Sequence, residues 1–271
     1  MMIKNNLKHI FAVCAYEESP FLEEAIKSLV AQTKKTDIIV STSTPNRYIS
    51  SICEKYSIPI FVTNSKPGIA TDWNFAMNFA DADFVTLCHQ DDFFDPKYAE
   101  NIDSSVNSET IIAFTDYREL KNDKFIYSSL NLSIKRFMLS PFLLPFLNNF
   151  VFVRRFILSF GSPICCPSVC YNKNKLSNMA FDSSFKCNLD WDYWERASKI
   201  KGNFVYIPKI LMTHRIHESS ETTKLIGDNI RGKEDLIMFE RFWNKSIANF
   251  LYSFYKKSQN SNNIDLEKGE K

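Results

Sequence analysis

The sequence has little net charge, +2 over 271 residues, and so projects no long-range field that would draw polyanions. Nucleic acid is not an expected partner. The sequence also lacks a secretory signature: the apolar run near its start is short, polar residues interrupt it, and no small-residue cleavage site follows. These first residues read as a strand, and the chain is expected in the cytoplasm. Nowhere is there a run of ~20 uninterrupted apolar residues. The longest candidate, over residues 142–160, is cut by Asn148, Asn149, Arg154 and Arg155 and does not span a bilayer. No internal repeat is present. The seven cysteines are odd in number and scattered, which favours reduced thiols over a disulfide framework. Cys165, Cys166 and Cys170 lack a fourth ligand at zinc-ribbon spacing, so buried thiols are expected. Finally, residues 15–20 carry no Gly-rich basic loop, which removes the phosphate cradle of a nucleotidyltransferase.

What the sequence does have is apolar material: 45% hydrophobic residues, with 24 phenylalanines, enough for one large core or two modest ones. Most of these rings are expected to pack. Strands are read over residues 9–15, 37–41, 58–62, 84–88 and 111–115, and helices from Leu22 and over 48–56 and 70–80. Ser19-Pro20 reads as the cap and first-turn proline of the first helix, and Asp95-Pro96 as the start of another. This alternation predicts an α/β fold with a mostly parallel central sheet flanked by helices. In such sheets ligands bind beyond the carboxyl ends of the strands. Those places are held by Tyr16-Glu17, Thr42-Ser43-Thr44 and His89-Gln90-Asp91-Asp92.

From about residue 125 to 162 the composition turns to Leu, Phe and Pro, with Lys135, Arg136, Arg154 and Arg155 interspersed. Two readings stand, a basic amphipathic surface lying on a membrane and a buried helical pair. A strand over 204–207 precedes Pro208. A helical extension with Leu236, Phe239, Phe242 and Trp243 follows, then a polar tail from Lys256 that is expected to be disordered.

Adjacent Asp91 and Asp92 repel each other, and a strand end tolerates such a pair when a hard cation sits between protein and substrate oxygens. A diphosphate would complete that shell. The same pair could instead cap the next helix. A second segment, Asn188-Leu189-Asp190-Trp191-Asp192-Tyr193-Trp194, opens a helix in which Trp194, Ala197 and Ile200 face inward and Asp192 and Arg196 form a surface pair. Taken alone, Asp190 reads as an N-cap. A third, around His214, Arg215 and His217, offers a cation for phosphate oxygens and imidazoles for a metal or a structural role.

Together these segments resemble the family 2 glycosyltransferases with the A-type glycosyltransferase fold, from about residue 9 to 220. The resemblance rests on Ala15-Tyr16-Glu17, on Ser28-Leu29-Val30-Ala31-Gln32-Thr33, on the stretch from Gly68 to Asn74, and on His89-Gln90-Asp91-Asp92 at the DxD position. The Asp190 segment resembles the family's Glu-Asp-x-Asp-x-Trp, and Arg215, His217 and Ser220 its Arg-x-His-x-x-Ser. It implies an inverting, metal-dependent transferase of the hexosyltransferase class. The donor would be a nucleotide sugar, with a UDP-sugar favoured over dTDP- and GDP-sugars. The acceptor would be a glycan or lipid-linked hydroxyl in surface polysaccharide or glycolipid assembly. By the same resemblance, Asp92 and Asp91 would hold Mn²⁺ or Mg²⁺ with His217, and Asp91 could touch the ribose. Tyr16, Glu17, Ser43, Asn74 and Arg215 would bind the donor, and Asp190 would be the catalytic base. Residues 1–125 would form the nucleotide-sugar half, 126–222 the acceptor and base half, and 223–271 the extension and tail. Peripheral attachment to the inner face of the plasma membrane and a homo-oligomer are further expectations. Three departures from the family pattern stand out: Ser41-Thr42-Ser43-Thr44 in place of a base-binding carboxylate, His89 in place of an acid, and Leu189 in place of Glu. They leave open a catalytically idle, carbohydrate-binding relative.

Overall fold

The computed structural model describes residues 7–217 and 230–267, the last eleven as helical backbone. The first half follows the alternating pattern of the sequence: β1 (His9–Ala15), α1 (Leu22–Val30), β2 (Asp37–Thr42), α2 (Arg47–Tyr56), β3 (Ile60–Val62), α3 (Ile69–Phe79) and β4 (Phe84–His89). These strands pair in parallel in the order β3-β2-β1-β4. The inner strands β1 and β4 bury both faces, while β3 at the edge stays partly exposed. On β1, Ile10 and Ala12 enter one core while Phe11, Val13 and Ala15 enter the other, and Val85 and Leu87 on β4 are divided in the same way from Phe84 and Cys88.

The second half contains β5 (Phe93–Phe94), α4 (Tyr98–Ser105), β6 (Thr110–Lys121), β7 (Lys124–Ile126), α5 (Leu130–Leu139), α6 (Val151–Leu158), β8 (Val169–Asn172), α7 (Leu189–Ala197), β9 (Asn203–Ile216), α8 (Ile230–Glu240) and α9 (Lys245–Glu267). They extend the sheet to nine strands in the order β3-β2-β1-β4-β8-β6-β9-β5, with β7 paired to β6. Strand β8 is antiparallel to both β4 and β6, so β6 and β9 run in the direction of β1 to β4. The sheet is therefore mostly parallel, as the alternation predicts, with β5, β7 and β8 reversed.

Three local readings change. Strand β9 does not stop at Pro208: a bulge passes Pro208 and Lys209, so that Thr115 faces Ile207 and Asp116 faces Ile210, and the ladder resumes to Ile216. Helix α1 opens at Leu22, and the Ser19 hydroxyl accepts from the Phe21 amide one turn ahead of it. The tail from Lys256 continues α9 as far as Glu267. Its Lys, Gln and Glu residues are tolerant of helix, and an anchored first turn propagates into them.

Candidate active site

The register Ala15 to Thr42 and Cys14 to His89 brings the ends of β1, β2 and β4 level at one edge of the sheet. Strand β9 ends at the same edge because it runs with them. Asp91 and Asp92 are not helix caps, since α4 starts six residues later and its cap position is Lys97. Asp92 is fully buried. Its Oδ1 accepts from the Arg215 amide at 2.8 Å and from His214 Nδ1 at 3.0 Å, and its Oδ2 lies 3.4 Å from His89 Nδ1. Burial alone would raise this carboxyl; His214 and His89 outweigh it and hold it well below the usual carboxylate range. Burial likewise works against a charged His214, but Asp92 prevails and pushes that imidazole up to about 8. At neutral pH the two form an ion pair, with His214 donating.

Asp91 is only part-buried, and its Oδ2 lies 3.0 Å from His217 Nε2. One ligand atom each from His89, Asp91 and Asp92 fall within 4.8 Å of one another, the only such group among the described residues. Asp92 Oδ2 and His89 Nε2 are buried without a hydrogen-bond partner. Two carboxylates and one imidazole with unused buried atoms fit a divalent cation, and the imidazole suits Mn²⁺ better than Mg²⁺. The indole of Trp73 stacks on His89 with centroids 5.2 Å apart and fixes that ring. Cys165, Cys166 and Cys170 gather no such group, and burial pushes all three thiols up.

Two residues expected at the donor are committed elsewhere. The Arg215 guanidinium bonds Glu24 and the Asp91 carbonyl and lies over the Phe21 ring at 4.4 Å. It thereby ties the motif to α1. Asn74 is bonded through both amide atoms to the Phe181 backbone, at 2.9 and 2.7 Å, and so ties α3 to the segment leading into α7. His217 contacts the carboxylate group through Asp91 instead of joining it. Ser220, the last member of its motif, lies outside the described residues.

Around the ends of β1 and β2 side chains hold the backbone in an unusual bend. Tyr16 donates its amide to Gln90 Oε1 at 2.8 Å. Glu17 adopts φ 52°, a conformation rare outside glycine, and is held there by Thr44 Oγ1 on its amide and by Asn46 Nδ2 on its carbonyl. The Ser43 hydroxyl is buried beside Asp72 of α3, whose Oδ1 is also buried and unbonded. Burial pushes the Asp72 carboxyl up, although Ser43 works against this. Nothing local marks Asp72, because a lone acid in a first helical turn reads as a response to the helix dipole.

Asp190 lies in the first turn of α7, whose cap position is Asn188, so it is not the N-cap. Burial pushes its carboxyl up to about 6, against a bond from the Trp191 amide and the charges of Arg231, Lys135 and His89. The charge of His89 reaches Asp190 as well as Asp92, so the Asp190 carboxyl stands within electrostatic range of the acidic motif. Asp192 is not part of a surface pair. It is 1% exposed and held by both Arg196 and Arg241. The start of α7 is fixed by α8, which sequence reasoning left as an appendage. Glu234 accepts the amides of Lys186, Cys187 and Asn188 at 2.7–2.9 Å, and Asp235 accepts from Asn188 Nδ2.

A doubly wound half-sheet that continues into a reversed β8 and a long β6–β9 pair, with an acidic motif at the end of β4, defines the A-type glycosyltransferase fold. Residues 10–176, more than half of the chain, match the glycosyl transferase family 2 profile, and the chain belongs to that family. Among solved structures it is similar to residues 1–349 of TarS from S. aureus, with TM-score 0.63 and 13% identity over 91% of this chain and 69% of that one. The same fragment has been solved in complex with UDP-GlcNAc, at TM-score 0.62 and 13% identity over 91% and 70% of the two chains. A third is the mannosyltransferase PcManGT from Pyrobaculum calidifontis in complex with GDP-Man and Mn2+, with TM-score 0.58 and 13% identity over 87% and 64%. No curated protein sequence matches.

Proposed function

We propose that this chain is an inverting glycosyltransferase that moves a sugar from a nucleotide-sugar donor, a UDP-sugar first, to a hydroxyl of a glycan or lipid-linked acceptor. The observation that carries the reading is the His89–Asp91–Asp92 group at the end of β4, with the His-bearing end of β9 bonded to it. His89, Asp91 and Asp92 would hold Mn²⁺ or Mg²⁺, which when bound supplies Lewis-acid stabilisation of the departing diphosphate. Asp92 serves this group from a fixed position, since one of its oxygens is already taken by β9. Asp190 takes the proton of the acceptor hydroxyl as that oxygen attacks the anomeric carbon and the bond to the diphosphate breaks. A carboxyl pushed up to about 6 is a stronger base than an exposed one and is still ionised at neutral pH. Tyr16, Glu17 and Ser43 line the nucleoside end, and Asp72 stands in there for the base-binding carboxylate missing after β2.

Support for a nucleotide-sugar donor comes from the fold's solved relatives, which include complexes with UDP, UDP-GlcNAc and GDP-Man. The test is thermal shift with UDP, GDP and dTDP, each with and without Mn²⁺. UDP with Mn²⁺ is expected to raise the melting temperature most, and Asp91→Asn to remove the metal-dependent part while leaving the unliganded Tm within about 2 °C. No stabilisation by any nucleotide, with metal or without, would overturn the reading.

A further inference from the structure

Helix α6 buries a charge beside Ile157 and Leu158. Arg154 is fully buried, donating to the carbonyls of Gly202 and Ile200, whereas Phe152 and Phe156 are 76% and 50% exposed and stack on each other. Phe156 continues edge-on to Phe160, and Phe160 packs on Trp243 just ahead of α9. Helix α9 lies alongside: a Cβ on Gly161 would come within 2.9 Å of the Tyr255 ring. It packs Ala248, Leu251, Tyr252 and Tyr255 inward and still leaves Phe250 and Phe254 62% and 58% exposed. The two neighbouring helices thus each leave a contacting phenylalanine pair exposed, Phe152 with Phe156 and Phe250 with Phe254. Isolated apolar residues on a surface are ordinary; two such pairs on adjoining helices are not.

Charge says what covers it. No Asp or Glu occurs between Asp123 and Asp182, nor between Glu240 and Asp265. Exposed Lys245 and Lys256 stand at the two ends of the aromatic stripe of α9. A second copy placed face to face would oppose lysine with lysine and offer no acid in return. Anionic lipid headgroups complement the lysines, while the acyl boundary receives the rings. We infer that the joint face of α6 and α9 is a membrane-docking surface for a bilayer containing anionic lipid, with the phenylalanines inserting and the flanking lysines reaching the headgroups. This surface is not the basic one that the sequence suggested. Arg136 is bonded to Asp116, Arg155 to Glu195, Lys135 to the Tyr117 hydroxyl, and Arg154 is inside.

The inference stands apart from the donor chemistry and is tested without it. The full chain is floated with vesicles of phosphatidylcholine alone and with ~30% phosphatidylglycerol, beside Phe152→Ser/Phe156→Ser and Phe250→Ser/Phe254→Ser variants. Wild type is expected on the anionic vesicles. Each double variant should lower partitioning by about tenfold or more and keep a cooperative thermal unfolding transition at the wild-type temperature, which shows that it is folded. Half-molar salt should weaken binding only a few-fold, because insertion of the rings carries most of it. Absence of wild-type flotation on both vesicle types would overturn the inference. So would a wild-type dimer that either double variant converts to a monomer, since a second copy would then occupy the face.

Discussion

Helices α1 and α6 are of nearly equal length, and both are amphipathic, yet only α6 buries a charge along with its apolar residues. Helix α1 buries Leu22, Ala25, Ile26 and Leu29 and gives Glu23 and Lys27 to the solvent. Helix α6 buries an arginine and exposes phenylalanines. The contrast extends to the two halves of the molecule. Through β4 the interior is made by alternating apolar residues, with charge outside. Beyond it, Arg154, Asp192, Glu195, Glu234 and Asp235 are buried, and ion pairs and capped amides determine where α7 sits. Half of the fold is ordered by hydrophobic patterning, and the half that carries Asp190 is ordered by polar networks.

The largest effect expected from this difference is on stability. Asp192→Ala removes the shared partner of Arg196 and Arg241 from a site that is 1% exposed, and should cost about 3–5 kcal/mol. Lys27→Ala, at the exposed edge of α1, should leave the denaturation midpoint unchanged. Urea unfolding of both variants checks the pair. If Asp192→Ala unfolds at the wild-type midpoint, the second half is held by apolar packing after all.

The same division decides what could be read from the sequence. Short apolar runs alternating with helices announced β1 to β4, and the carboxylates at the end of β4 followed from strand direction alone. Reading failed where a charged side chain faces inward. Arg154 and Arg155 looked like a membrane-facing cluster because charge is normally outside, and Glu234, 46 residues beyond Asn188, carries no local mark of the helix end it caps. Pro208 looked like a strand end because it removes one ladder bond, which the bulge absorbs. Arg215 and Asn74 fell within family motifs and were given ligands, but their partners turned out to be Glu24, the Asp91 carbonyl and the Phe181 backbone. Motif position identifies the neighbourhood of a side chain and leaves its direction undetermined.

The next effect is on turnover and on pH. Asp190→Asn should lower transfer by at least ~10²-fold while keeping the UDP and Mn²⁺ thermal shift. In the wild type, turnover should fall as pH drops through about 6, where the base takes up its proton. The sign for stability is the reverse. A carboxyl whose folded value is raised above its unfolded one stabilises the fold while it is protonated, and that contribution is lost as pH rises through about 6. Asp190→Asn should therefore raise the melting temperature relative to wild type at pH 8 and not at pH 4. A variant that is slow but no more stable at pH 8 than at pH 4 would mean that Asp190 is not desolvated, and so is not the base described.

The smallest effect sharpens the comparison from the side of the first half, where polar side chains cap and tie rather than form cores. Asn46 does two things there. Its Oδ1 accepts from the Ile49 amide and caps α2, while its Nδ2 holds the carbonyls of Glu17 and Thr44. Asn46→Ala loses both and should cost about 1 kcal/mol, the usual worth of a cap. Asn46→Asp keeps an acceptor for the cap and loses the two donated bonds, so its stability should stay close to wild type. Its effect should fall on Glu17, which holds an unfavourable positive φ at the nucleoside end of the site. UDP affinity in the presence of Mn²⁺, measured by calorimetry, should drop a few-fold in Asn46→Asp without a matching loss of melting temperature. A stability loss confined to Asn46→Ala, with UDP affinity untouched in Asn46→Asp, would make Asn46 a helix cap and nothing more, and would separate the bend at Glu17 from donor binding.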